Sequence, residues 1–365
     1  MLKPADHFHG SDLETIEKQY GIRRDDIVSF SANVNPLGLS EHVKEALADR
    51  LDVITTYPDR EYTSLRHAIG DYCDADYRHI IVGNGSTELI SLMIQLRHPK
   101  KALVLGPTYS EYEREVILAG GSCTYFPLQE ASDFSLDEAS LYECLEQGVD
   151  MFLLCNPNNP TSSLISRAQM RRILDACKRL DIFVAVDETY IEFTEDIAAT
   201  SSVALTEYYN NLVVLRGVSK FFASPGLRLG YAVTGNEQII RTVREKQNPW
   251  TVSSVADLAG RLLFSDTEYI RQTKHLIFTE RRRICEALSR MKGIRFYPPA
   301  ANFVLVHILK EGLTADELFD KAIRQGLMIR NCSTFPFLDH TYFRFCFMMP
   351  QDNDRLLQCI AEMFS

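Results

Sequence analysis

The chain has 365 residues, with 39 basic against 49 acidic side chains and a formal charge of −10. That length allows two or three folding units, and the acidic balance excludes a general nucleic-acid binder, which needs a basic face for phosphates. Hydrophobic residues make up 45% and charged residues 24%, as in ordinary globular chains, and no run approaches the roughly 18 apolar residues of a membrane span, so no membrane partner is expected.

The start, Met1-Leu2-Lys3-Pro4-Ala5-Asp6, carries no apolar signal core. A helical pattern covers 11–20, and residues 31–38 are rich in Pro, Gly and Asn. Short apolar runs then recur at 79–83, 102–106, 123–126, 151–155, 182–186, 212–216 and 229–233. Most lack polar alternation, the pattern of strands buried on both faces of a sheet. Helical patterns lie between them: 89–96 after a glycine turn, and 167–180 with Ser166 as its expected N-cap. This alternation predicts an α/β fold, a three-layer α/β/α large domain with a mainly parallel sheet over 45–240. From residue 250 the pattern changes to one long helical stretch over 253–291, short runs at 303–308 and 342–347, and a closing helix from Asp352. Residues 1–44 and 250–365 are therefore expected to form a smaller α+β domain. Arg281-Arg282-Arg283 is expected on a solvated helix face. Nine cysteines, scattered singly with no Cys-x-x-Cys pair, fit reduced thiols and a cytoplasmic setting. No metal set is expected.

Four segments carry chemistry. In 218–231, Lys220 follows a strand and a small hydroxyl residue, Ser219, with apolar or small neighbours. Burial lowers the pKa of such a lysine and equips it to form a Schiff base, while Arg228, eight residues on, has the fork of donors that a phosphate needs. Asp187, in Val186-Asp187-Glu188-Thr189-Tyr190, ends a buried strand. A carboxylate there can keep a bound ring nitrogen protonated, or can be a simple cap or ion-pair partner. Asn156-Pro157-Asn158-Asn159-Pro160-Thr161 reads equally as a polar turn. Gly83-Asn84-Gly85-Ser86-Thr87-Glu88 joins a strand to a helix whose N-terminus can bind an anion. Glu88 in place of a third glycine argues against a dinucleotide fingerprint.

In their order these segments resemble the class I/II aminotransferase family of fold-type I pyridoxal-phosphate enzymes, and the resemblance runs over nearly the whole chain. Within it the chain is similar to histidinol-phosphate aminotransferases and threonine-phosphate decarboxylases, through Phe30-Ser31-Ala32-Asn33-Val34-Asn35-Pro36-Leu37-Gly38, Tyr57-Pro58, Pro107-Thr108-Tyr109, Asn248-Pro249-Trp250, Ala301-Asn302-Phe303 and Ile329-Arg330-Asn331-Cys332. The resemblance implies pyridoxal 5'-phosphate as cofactor, Lys220 as its Schiff-base partner, Asp187 on the ring nitrogen, and Tyr190 and Asn159 on the ring hydroxyl. It implies Tyr109 stacked on the ring, and Gly85, Ser86, Thr87, Ser219 and Arg228 around the phosphate. Tyr57 would serve a neighbouring subunit's cofactor, which implies a homodimer with shared active sites. Arg344 would take the substrate carboxylate, with Arg330, Asn35 and His9 nearby, and the small domain would close over the site.

The chain also departs from the family. Ser162 replaces the usual glycine after Asn-Pro-Thr, which predicts a different turn; Gly217 lacks a hydroxyl, and Phe337 stands where both neighbours carry glycine. Tyr190, and Met348 where the decarboxylase has an arginine, favour an aminotransferase acting on a small phosphorylated or acidic amine, with a 2-oxo acid as acceptor. Asn248-Pro249-Trp250, the His9-Gly10 start and residues 31–38 favour a decarboxylase of a phosphorylated amino acid. In either case Arg330 and Arg344, each in an apolar stretch, predict a substrate with two anionic groups.

Overall fold

A computed structural model describes residues 12–364. Thirteen strands occur among them: β1 (Val28–Ser29), β2 (Ile80–Gly83), β3 (Lys101–Gly106), β4 (Ser122–Pro127), β5 (Met151–Cys155), β6 (Phe183–Asp187), β7 (Leu212–Gly217), β8 (Gly230–Val233), β9 (Ile294–Phe296), β10 (Phe303–Ile308), β11 (Leu327–Met328), β12 (Arg330–Asn331) and β13 (Tyr342–Cys346). Seven of them form the central sheet in the order β2-β8-β7-β6-β5-β3-β4. All its pairings are parallel except those of β8. Every residue of β5, β6 and β7 is buried, which is why these strands are apolar on both faces. The helices Ser86–Arg97 and Arg167–Arg179 cross between strands. Ser166 starts the second with a capping box: its Oγ accepts from Gln169 N at 3.3 Å, and Gln169 Oε1 accepts from Ser166 N at 3.1 Å.

The chain moves outward from β3 to β4, then returns to the other side of β3 with β5. Where strand order reverses, the loops leave in opposite directions and open a crevice at the carboxyl edge.

A second sheet, β12-β13-β10-β9, is antiparallel. β1 pairs in parallel with β11, Val28 opposite Leu327 and Ser29 opposite Met328, so the N-terminal segment is tied to the C-terminal one. The long helix expected over 253–291 is two helices, Ser254–Ser265 and Thr267–Ser289. Asp266 breaks it: its carboxylate caps the second helix through Tyr269 N at 3.0 Å and accepts from Ser40 Oγ at 2.5 Å. The closing helix begins two residues early, at Pro350, a residue that suits a first turn. Arg281 is not on a solvated face. It is buried, and its guanidinium donates to Phe193 O and Ala300 O. No helix among the described residues is long and apolar enough to cross a membrane.

Candidate active site

The carboxyl edge of the central sheet gathers residues from five separate segments. Gly85, Ser86 and Thr87 follow β2, Tyr109 follows β3 and Asn159 follows β5. Asp187 ends β6, with Tyr190 three residues on, and Ser219 and Lys220 follow β7. Together with Arg228 they line one side of a cleft of about 520 Å³. Across it stand Ser31, Ala32 and Asn33, together with Arg330 of β12 and Arg344 of β13.

Lys220 is half-buried, and its Nζ donates to Ala32 O at 2.7 Å. Burial first, and the positive Arg344 second, push its ammonium down to about 8. Asp187 is buried and held in place: Oδ2 accepts from Tyr112 OH at 2.7 Å, and Oδ1 accepts from Thr189 N at 3.0 Å and Thr189 Oγ1 at 2.5 Å. Desolvation raises its pKa, and the hydroxyls of Thr189 and Tyr112 oppose the rise. The Tyr190 hydroxyl accepts from Asn33 Nδ2 at 3.3 Å, and its ring meets Phe303 edge-on at 5.0 Å. Burial raises Tyr190 well above an ordinary phenol and pushes Tyr109 up to about 12. Tyr109 in turn stands edge-on against Tyr112, with centroids 5.7 Å apart.

Gly85 opens the helix Ser86–Arg97 at φ +87°, a conformation that glycine adopts freely. A Cβ there would lie 2.5 Å from Arg228 Nη2, so the missing side chain is what lets the guanidinium reach the helix N-terminus. Arg228 Nη1 donates to Pro225 O at 3.0 Å. The Ser86, Thr87 and Ser219 hydroxyls line the same end of the cleft. Backbone N–H groups, hydroxyls and a guanidinium make an anion cradle. Gly217 lies beside Leu229 O and Ser86 Oγ, 3.4 and 3.7 Å from where its Cβ would be, so it supplies no second hydroxyl there.

Arg330 and Arg344 are directly opposed in the β12–β13 ladder. Arg344 Nη2 donates to Ser31 O at 2.6 Å and Nη1 to Asn159 Oδ1; its buried Nε has no hydrogen-bond partner among the described residues. Arg330 Nη2 donates to Thr334 Oγ1 at 2.8 Å, and its guanidinium lies 5.3 Å from the Phe335 ring centre. Burial, with Arg344 as a second cause, lowers Arg330 to about 10. Asp339, a conceivable partner for these cations, instead accepts from Thr341 N.

Two expected site residues lie elsewhere. Asn35 is behind the cleft wall, not in it: its Nδ2 is 2.8 Å from Phe221 O, 2.9 Å from Tyr269 OH and 2.8 Å from Thr273 Oγ1, and its N–H donates to Lys220 O at 3.0 Å. Being buried among these partners, it braces the lysine backbone and leaves no group for a substrate. Tyr57 is 78% exposed and packs on Trp250 at 4.5 Å, outside its own chain's cleft. His9 lies outside the described residues. Ser162 adopts a left-handed conformation, at φ 59°. Its Oγ accepts from Ala301 N at 2.8 Å and its N–H donates to Asn158 O at 2.7 Å, which offsets the cost of that conformation.

Tyr112, Thr189, Asn33, Thr334 and Phe335 also line the cleft, beyond the residues expected there. Thr189 had a signal, the Asx-type spacing of two from Asp187, whereas Tyr112 lies in the first turn of the helix Glu111–Leu118, which starts after Tyr109. Asn33 had none, since its partner Tyr190 is 157 positions away.

A lysine at a strand end, a buried carboxylate opposite it, an anion cradle at a helix N-terminus and a wall of arginines define a cofactor-dependent enzyme of amino-acid chemistry. Residues 25–360 match the sequence model of aminotransferase class I and II, and the chain belongs to that family. It is 34% identical to the threonine-phosphate decarboxylase of Salmonella typhimurium over 98% of this chain and 96% of that one. Among solved structures it is similar to the histidinol-phosphate aminotransferase of Clostridium acetobutylicum, with TM-score 0.86 and 32% identity over 92% of this chain and 98% of that one. A histidinol-phosphate aminotransferase from Sinorhizobium meliloti, solved with pyridoxal-5'-phosphate, shares the fold at TM-score 0.85 and 21% identity, over 100% of this chain and 97% of that one. The cofactor is pyridoxal 5'-phosphate, and the residues present fit it. The missing Gly85 Cβ lets the Arg228 guanidinium stand at the helix N-terminus, where a phosphate would sit, and buried Asp187, which lines the cleft, can meet a ring nitrogen.

Proposed function

We propose that the enzyme transfers the amino group of a small amino acid or amine that carries a second anionic group, a phosphate or an acid, to a 2-oxo acid acceptor. The observation that carries this reading is the cross-strand pair Arg330 and Arg344, two buried guanidiniums on one wall of the cleft that carries Lys220. Like charges so close repel, and an anionic ligand between them relieves that repulsion.

Gly85, Ser86, Thr87, Ser219 and Arg228 would hold the cofactor phosphate. Asp187 would keep the ring nitrogen charged, and Tyr109 would cover the ring face. Tyr190 and Asn159 would hold the ring hydroxyl. Pyridoxal phosphate, when bound, supplies an electron sink that weakens the bonds at the substrate's Cα. Lys220, with a pKa near 8, is partly neutral at neutral pH and can take a proton from Cα and return it elsewhere. Arg344 would fix the substrate carboxylate. A carboxylate held by a guanidinium is stabilised as an anion and resists leaving as carbon dioxide, so the Cα–H bond is the one that breaks. We further propose that the antiparallel-sheet unit closes over the cleft, and that the chain works as a homodimer in which Tyr57 serves the partner subunit's site.

Decarboxylation is the second reading, supported by the 34% identity to a threonine-phosphate decarboxylase. If a substrate phosphate occupies both arginines, its carboxylate has no cation to hold it and can depart. The test is to incubate the holoenzyme with phosphoserine, threonine phosphate and histidinol phosphate, with and without 2-oxoglutarate, and to follow glutamate and carbon dioxide separately. Glutamate without carbon dioxide is expected. Carbon dioxide without any need for 2-oxoglutarate establishes the second reading and overturns the first.

A further inference from the structure

We propose that Phe337 is a positioning residue: its ring braces the segment between β12 and β13 against the central sheet, and so holds Thr334 and Phe335 where they aim Arg330. The inference rests on the proposed substrate class. Phe337 has φ 68° and is 58% exposed. The left-handed region is costly for a bulky side chain, and such strain persists only where its surroundings impose it. Here the imposing contacts lie on the other sheet. The ring meets Tyr125 of β4 edge-on at 5.9 Å and 83°. Its Cε2 lies 3.1 Å from where a Cβ on Gly106 would be, at the end of β3. A side chain at 106 would press on both this ring and Tyr125, whose Cδ1 would lie 2.8 Å from the added Cβ.

The same segment grips Arg330 at its other end. Thr334 Oγ1 accepts from Arg330 Nη2 at 2.8 Å, and the Phe335 ring lies under the guanidinium at 5.3 Å. Between them the chain is tightly turned, with Phe335 N–H donating to Cys332 O at 2.9 Å and Leu338 N–H to Phe335 O at 3.2 Å. A displacement of Phe337 is therefore transmitted to Thr334 and Phe335 rather than absorbed. Arg330 faces Arg344 across the ladder, so its exact aim decides whether a second anion is read.

The test uses two ligands that carry no amino group and cannot be turned over, 3-phosphonopropionate and butyrate, titrated calorimetrically into holoenzyme. Wild type is expected to bind the phosphonate at least about tenfold tighter than butyrate, from one added charge-assisted pair. Phe337→Ala, which keeps the strained backbone, and Phe337→Gly, which relieves it, should both reduce that preference to under about threefold with butyrate affinity unchanged, while Phe337→Tyr preserves it. A preference intact in both truncations overturns the brace, as does an equal loss for both ligands. A wild type without the preference overturns the substrate class and this role together. If the preference exists and is lost on truncation, yet no phosphorylated amino acid is turned over, the brace stands and the proposed reaction falls.

Discussion

In the proposed reaction Lys220 is the residue on which the chemistry turns, and its surroundings predict its pH behaviour. A lysine acting as base must be neutral, and its conjugate acid lies near 8. The rate of the proton-transfer step should therefore rise as pH increases through about 8 and then level off, read from kcat against pH in single-turnover mixing. Borohydride reduction of the holoenzyme should fix the cofactor to Lys220 by peptide mapping, and a label on another lysine would sink the assignment. Arg344 has two neutral partners and a buried Nε with none among the described residues. Losing one arm of a buried charge-assisted pair costs ~2–5 kcal/mol, so Arg344→Ala should lower kcat/KM at least ~30-fold. Arg330→Ala should weaken phosphoserine while sparing serine, compared as a matched pair.

At the scale of elements, the turn from β2 into the helix Ser86–Arg97 is the most sensitive joint. Gly85→Ala must place a Cβ at φ +87° and against the Arg228 guanidinium. If this cradle holds the cofactor's phosphate as proposed, the variant should lose cofactor on dialysis while its apo form melts near wild type, within about 1–2 kcal/mol. A second element-level effect lies beneath the cleft, in the short turn Ile191–Phe193. Glu192 is buried, and desolvation pushes its carboxyl up to about 7, with Arg216 opposing. The folded chain therefore binds this proton more tightly than the unfolded chain does. The resulting stability is full below the unfolded value of 4.5 and is lost as pH rises through about 7. Glu192→Gln cannot ionise, so it should melt higher than wild type at pH 8 and much like it at pH 4.5, a difference on the order of 3 kcal/mol at most. Identical melting shifts at both pH values would refute the ionisation.

At the scale of the molecule, the exposed Tyr57–Trp250 stack, flanked by Leu51 and Ile54 at 57% and 63% exposure, is an apolar edge on an acidic chain. The proposed dimer covers that edge. Mixing inactive Lys220→Ala with inactive Tyr57→Phe should then restore activity, because hybrids contain one intact site. A fully active monomer in sedimentation would disprove the sharing.

Much of this organisation was legible in the linear order of residues. All seven strands of the central sheet stood within about two residues of their apolar runs, because a strand covered on both faces excludes polar alternation; only the edge strand β4 keeps exposed residues among the seven. Lys220, Asp187, Asn159, Tyr109 and the Gly85 turn were legible for a related reason: each sits at the carboxyl end of such a strand, so local sequence also marks the sheet edge. The break at Asp266 was masked by apolar periodicity on either side of it. What no local pattern contained was the pairing of distant groups. Asn35 spent its amide behind the lysine, Arg281 turned inward, and Tyr112 took Asp187, because each of these partners lies far along the chain and is brought near only by packing. The amino-acid order was enough to mark the strands and the chemistry at their ends, since both are local in the chain. Which side chains face the cleft and which brace it was settled by folding, because hydrogen bonds between remote segments exist only once the layers have closed.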